Sequence, residues 1–358
     1  MAKAKRFIGK MFKWIGIILL ILIAVYFILR SIGMGINKRT PEGGINESMY
    51  VDINGSKQWI NIYGQDKDNP VLLYLHGGPG APSSYIDYVF TRKWSDVYTV
   101  VTWDQRNCGM SYNKNNEEVE ITKELMLEDG KEMTEFLCDY MGKDKISLVG
   151  HSWGSLFGAN LALEYPDYYE AFIGTGQCVD IVENEHRLYE AALEWTANDP
   201  EGREFMKNWD PDNGFTNESI KIRNGIMSRY GYGIMDEKTD YNMVTALLFN
   251  PNYSTADYFR VVRSLFVAME PYNKFAGEGM KECSLLGRYD YEVPFYNIDG
   301  SHDYQTNYEM ACEYFDKVNA PKKKMYVMEG GNHGLLEVRT EEFSEYIHDI
   351  AKIQKENR

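Results

Sequence analysis

A serine stands at a glycine-flanked corner of this sequence, Gly150-His151-Ser152-Trp153-Gly154. An apolar, strand-like run, "KISLVG" (145–150), leads into it, and a helix-like run, "SLFGANLALEYP" (155–166), leads out. Glycines on either side leave room for a bend that side chains would block. Such a bend lifts the Ser152 hydroxyl above the strand. The helix behind it aims amide N–H groups and a positive dipole end at the same spot. A serine in this place could equally be a turn or cap residue. Its hydroxyl attacks a carbonyl only if a base takes its proton.

Six histidines are available: 76, 151, 186, 302, 333 and 348. His151 is expected to point away on the turn. His76 sits in a glycine loop, His186 in a helical segment and His348 in a terminal helix. His333 lies in "EGGNHG", directly after the last strand-like run, where a loop can carry an imidazole over the edge of a sheet. His333 is therefore the expected base. The orienting acid should follow another strand. "NIDGSHDYQTN" (297–307) offers Asp299 at the strand end and Asp303 in the loop proper, and Asp303 is preferred. His302 competes for the base role but would leave no acid in the right place. "LHGGPG" (75–80) supplies glycines that let backbone N–H groups approach a developing oxyanion. Gly77 and Gly78, with the N–H of Trp153, are the expected donors, each worth about 3 kcal/mol of barrier.

These residues need a scaffold, and the sequence carries one. "MYVDINGSKQWINIYG" (49–64) reads as a hairpin turning at Asn54-Gly55. "VLLYLHGG" (71–78), "YTVVTWDQ" (98–105), "KISLVG", "EAFIGTGQ" (170–177), "VPFYNIDG" (293–300) and "KKMYVMEG" (323–330) read as further strands. Several are apolar throughout, as strands covered on both faces must be. Segments 122–142, 155–166 and 341–356 have helical spacing. Helices between such strands imply a mostly parallel sheet, an α/β fold. Between about 179 and 289 the strand signal gives way to helix formers, Trp, Tyr and Met, which reads as a helical cap over the sheet's ligand-binding edge.

With HGGPG at 76–80, DQRNCGMS at 104–111 and GHSWGS at 150–155, the chain resembles the proline iminopeptidase branch of the α/β-hydrolase superfamily. The resemblance covers roughly residues 47–355. The order Ser152…Asp303…His333 is the nucleophile–acid–base order of that superfamily. Asn107 replaces a glycine of the usual D-Q-R-G-C-G-x-S pattern, and asparagine tolerates left-handed backbone angles best among non-glycine residues. The resemblance implies serine hydrolysis through an acyl-enzyme without metal or cofactor. In aminopeptidase members it also implies cap carboxylates that hold the substrate's amino group. Glu183, Glu185, Glu190 and Glu194 lie at the right place in the chain, with Glu185 and Glu190 foremost, although a solvated helix face would read the same way. Three functions stay open: an aminopeptidase acting on short peptides, an esterase or other small-molecule ester or amide hydrolase, or a non-catalytic binding module. Epoxide hydrolases and haloalkane dehalogenases place Asp at the corner, so Ser152 sets them aside.

The remaining signals concern location. Residues 1–30 hold six Lys or Arg and no acid, while the whole chain carries a net −15. A body this acidic repels nucleic-acid phosphates. Five scattered cysteines (108, 138, 178, 283, 312) show neither metal-site spacing nor an even disulfide count. Residues 14–29 are uncharged, and 12–33 can form a transmembrane helix, since a span needs about 20 residues. Five cations precede the run and three follow it, which favours a cytoplasmic N-terminus and an extracytoplasmic body. The expected organisation is a cytoplasmic stub and anchor (1–33), a linker (34–46), a core (47–178 and 290–358) and a helical cap (179–289).

Overall fold

The structure is a computed structural model that describes residues 2–356, apart from 117, 214, 215, 236–238, 240 and 268. A long helix, α1 (Ala2–Asn37), precedes a hairpin of β1 (Ile45–Ile53) and β2 (Ser56–Gly64). The hairpin turns at Asn54 and Gly55, both with positive φ (46° and 72°), which is why the asparagine–glycine pair marks it. Then follow β3 (Val71–Leu75), the short α2 (Tyr88–Thr91), β4 (Thr99–Asp104), α3 (Lys123–Met141), β5 (Ile146–His151), α4 (Trp153–Glu164) and β6 (Tyr169–Thr175). Among the described residues, six α-helices come next: α5 (Ile181–Trp195), α6 (Pro200–Phe205), α7 (Asn217–Arg229), α8 (Met243–Phe249), α9 (Thr255–Val267) and α10 (Met269–Gly277). The chain closes with β7 (Phe295–Gly300), α11 (Tyr308–Lys317), β8 (Lys323–Met328), the short α12 (Leu335–Val338) and α13 (Thr340–Glu356).

Among the described residues, eight strands form one sheet in the order β1-β2-β4-β3-β5-β6-β7-β8. The strands from β3 to β8 pair in parallel, while β1 and β2 are antiparallel. The apolar strands alternate between two cores. Leu73, Leu75 and Leu148 face one, with Phe157 and Leu161 of α4. Leu72, Tyr74 and Val149 face the other, with Phe343, Ile347 and Ile350 of α13. Burial on both faces explains the unbroken apolar runs. The strand order reverses at β3, which has β4 on one side and β5 on the other. Open sheets bind ligands at such a switch point, outside the carboxyl ends of the strands.

The helices between β6 and β7 rest on loops that leave those carboxyl ends. Tyr272 donates to the Arg106 carbonyl, Ser264 Oγ accepts from Gly109 N (3.1 Å), and Asn250 donates to the Ser84 carbonyl (3.1 Å). Asn332 reaches the Gly231 and Gly233 carbonyls at 3.2 and 3.1 Å. The expected linker needs correction. Helix α1 runs on through Gly33 and Gly35 to Asn37, and β1 begins at Ile45, so only residues 38–44 connect them. Gly33 does not end the helix because it is packed: a Cβ there would collide with the Phe249 ring. Asn37 also donates to the Phe249 carbonyl at 2.9 Å.

Candidate active site

Ser152 sits between β5 and α4 with φ 57° and ψ −120°, a conformation that L-residues rarely adopt. The flanking glycines are there for backbone approach. A Cβ on Gly150 would strike the Gly154 carbonyl, and one on Gly154 would strike that of Leu75. Ser155 fastens the corner from behind. Its hydroxyl donates to the Ser152 carbonyl (2.6 Å) and accepts from Cys178 N (2.9 Å) just after β6.

β5 pairs with β3, so the loops after both strands meet. Gly77 lies against the serine: a Cβ placed on it would be 3.2 Å from the Ser152 Cβ. Gly78 has φ 121°, open only to glycine. Trp153 opens α4, where helix geometry leaves the first amides without intrahelical acceptors. Its indole is locked away from the site, stacked on Phe157 and donating to Gln105 Oε1 at 3.0 Å. Gln105 also donates to the His76 carbonyl, and its own N–H meets His76 Nε2 at 3.2 Å. His76 is thus a brace between the 76–80 loop and the DQR segment. Burial pushes its imidazole down to about 4, so it stays neutral. Arg106 and Asp129 form a buried two-pronged pair, both contacts 2.6 Å, beneath the same segment. Asn107 has φ 55° and fills the glycine position with two hydrogen bonds, to Asn113 N and to the Asn116 carbonyl.

His333 and Asp303 come together. Nδ1 lies 2.7 Å from Asp303 Oδ2, with the two side chains 5% and 1% exposed. Thr306 holds Asp303: its N–H donates to Oδ1 (3.0 Å) and its hydroxyl to Oδ2 (2.9 Å). Gly176, at φ 51°, closes over the pair, since a Cβ there would lie 2.9 Å from His333 Cε1. Asp299 faces elsewhere, accepting from Gln177 N at 2.8 Å; burial pushes its carboxyl up to about 7. His302 is exposed, its ring against Tyr232.

Three features escaped the sequence reading. His151 does not point away. Its ring lies 4.7 Å from that of His333 and its Nε2 bonds the His333 carbonyl at 3.0 Å. Burial and the neighbouring His333 push its imidazole down to about 3, so it supports the loop as a neutral group. Thr306 was missed as well, although the spacing Asp303-x-x-Thr306 is a local turn signal. The third is an aromatic wall: Trp195, Tyr230, Tyr232 and Tyr304 pack together, and the 231–235 segment leans on the His333 loop.

The candidate cap carboxylates behave differently from one another. Glu185 is buried and its Oε1 lies 2.7 Å from Arg223 Nη1. Burial pushes its carboxyl up, against the pull of that guanidinium. Glu183 pairs with Arg187, and Glu190 and Glu194 are exposed on α5.

The model of the α/β-hydrolase fold family matches residues 70–340. The chain belongs to the α/β-hydrolase superfamily. It is 26% identical over 309 residues to a Bacillus subtilis protein named "Probable aminopeptidase YbaC", covering 79% of this chain and 89% of that one. It is 27% identical over 111 residues to a proline iminopeptidase of Lactobacillus helveticus, a match that spans only 36% of that enzyme. Among solved structures, a proline iminopeptidase-related protein from Thermus thermophilus superposes with TM-score 0.57 at 20% identity, covering 87% of this chain and 98% of that one. That likeness concerns the fold.

Proposed function

We propose that this chain is a membrane-anchored serine aminopeptidase that removes N-terminal residues from short peptides through an acyl-enzyme on Ser152. The observation that carries the reading is the buried 2.7 Å His333–Asp303 pair in the same edge of the sheet as the strained Ser152 corner. His333 donates through Nδ1 to Asp303, which leaves Nε2 to take the Ser152 proton as Oγ attacks a carbonyl. Asp303 fixes that tautomer and stabilises the imidazolium. The amides of Gly77, Gly78 and Trp153 hold the oxyanion. His333 then protonates the leaving amine, and water releases the acyl group. The protein of B. subtilis named as an aminopeptidase, matched over most of its length, supports the peptidase assignment. Helix α1 supports the anchor, since Arg6–Asn37 is long and apolar enough to cross a membrane. The charge bias favours a cytoplasmic N-terminus, with residues 179–289 as the cap limiting access to small substrates.

A second reading has its own observation. Glu185 is already committed to Arg223, and the wall beside the His333 loop is aromatic, which suits an apolar ester as well as a peptide. Hydrolysis of proline and alanine anilides and of short p-nitrophenyl esters, with Ser152→Ala as control, separates the two. Serine-dependent anilide cleavage is the expected result. Cleavage of esters alone would replace the peptidase by an esterase. Protease added to intact cells should cut the body, and a protected body would reverse the topology.

A further inference from the structure

Helix α1 does not simply end above the body; it docks on it. Arg30 is buried, and its guanidinium donates to the carbonyls of Leu248 (3.0 Å) and Tyr253. Tyr26 OH meets Thr255 Oγ1, the first residue of α9, at 3.0 Å. Tyr26 lies one helical turn before Arg30, about 6 Å along the axis at the rise of an α-helix. The uncharged run continues to Leu29. The start of α9 is thereby fixed beside the last turn of the apolar run, at the depth where a span meets the headgroups.

The surface there matches that depth. Outside α1, half of the large apolar side chains exposed among the described residues sit on α8 and α9: Met243, Val244, Phe259, Val262, Leu265 and Phe266. Phe259 and Phe266 are 75% and 84% exposed. Phe259, Val262 and Phe266 follow one face of α9, while Val261 and Ser264 are buried on the other. Arg260 and Arg263 are exposed alongside. They line a groove with Lys57, Lys114, Tyr50 and Tyr112, four cations on a chain of net charge −15. Arg260 donates to the Tyr50 hydroxyl, and Arg263 lies over the Tyr112 ring. Two acids lie nearby: Asp52 sits 3.4 Å from Lys57 and offsets that cation, and Asp257 accepts from Ser254 N at the start of α9, so the four cations outnumber these acids. Exposed aromatic and arginine side chains on one amphipathic helix are the composition of an interfacial helix, and cations near a membrane surface are drawn to acidic lipids.

We propose that the exposed face of α9, with Arg260 and Arg263, docks on the anionic surface of the bilayer that α1 crosses, seating the body against the membrane. The proposal rests on the anchor reading of α1. The full chain, in a C138S/C312S background, is reconstituted in vesicles of phosphatidylcholine with or without phosphatidylglycerol. A nitrobenzoxadiazole label is placed at I23C in α1, at V262C in α9 or at D316C in α11, which lies by the opposite edge of the sheet. Brominated lipid is the quencher. Quenching at 23 and 262 but not at 316 is expected, with the signal at 262 stronger in anionic vesicles and lost in R260E/R263E. That charge reversal should leave serine-dependent hydrolysis of a soluble ester unchanged. An unquenched label at 23 would sink the anchor reading itself. Quenching at 23 without quenching at 262 would overturn the docking alone and leave this face to a protein partner. Equal quenching at 262 in neutral and anionic vesicles would overturn the role of the arginines.

Discussion

Asp303→Asn tests the pairing of acid and base, and its outcome follows from the hydrogen bonds around the carboxylate. Oδ1 accepts from Thr306 N at 3.0 Å, while Oδ2 accepts from the Thr306 hydroxyl and meets His333 Nδ1 at 2.7 Å. A backbone N–H can only donate, so an asparagine must keep its oxygen on Thr306 N. Its NH2 group then faces His333 Nδ1 and cannot accept a proton from it. The imidazole must turn Nδ1 into an acceptor, which moves its proton to Nε2, the nitrogen that the proposed mechanism uses to deprotonate Ser152. The same exchange in a serine protease triad lowers kcat by about 10⁴-fold, or about 5 kcal/mol of barrier. The substitution is close to isosteric, so the fold should persist. The assay is kcat for a p-nitrophenyl ester by wild type, D303N and D299N at neutral pH, with circular dichroism as the check on folding. A folded D303N within about tenfold of wild type refutes the reasoning. A collapse of activity in D299N instead would move the acid to Asp299.

Asp299 has a separate pH signature. Its raised pKa means the native state keeps a proton that the unfolded chain releases near pH ~4, so the wild type loses stability as pH rises from about 4 to about 7. D299N should escape that loss, gaining on the wild type through this window by up to about 4 kcal/mol and by no more above it; melting temperatures across the range check it. Arg106→Ala should cost about 3–5 kcal/mol, because Asp129 is left buried without its partner, and chemical denaturation reads it directly. Asn107→Ala loses two hydrogen bonds and must hold φ 55° with an unfavourable residue, so it should destabilise by about 2 kcal/mol or more. Asn107→Gly loses only the bonds, so its unfolding midpoint should lie between those of the alanine variant and the wild type.

The sheet was legible because strands covered on both faces leave a plain trace. Val71–Leu75 and Ile146–Gly150 are buried without interruption and read as apolar runs. The placement of Ser152, His333 and Asp303 at the ends of strands was legible because each follows such a run in a glycine-rich or polar loop; their catalytic roles are what we propose. What stayed hidden depends on partners far away in the chain. The docking of α1 rests on Arg30 reaching carbonyls more than 200 residues on, and no local spacing encodes that. Glu185 lies in a run that reads like a solvated face, and only the fold brings Arg223 to it. His151 looked like a turn residue because its partner, the His333 carbonyl, is 182 residues later.

The proposed nucleophile, Ser152, is tested most directly by a fluorophosphonate probe on the protein, followed by peptide mass spectrometry. Such probes bond covalently to a serine hydroxyl only when a base and an oxyanion hole activate it. The expected result is one adduct, on the peptide that carries Ser152, lost in Ser152→Ala and in His333→Ala. A protein that hydrolyses substrate yet takes no label at Ser152, or keeps its activity as Ser152→Ala, would contradict the serine mechanism.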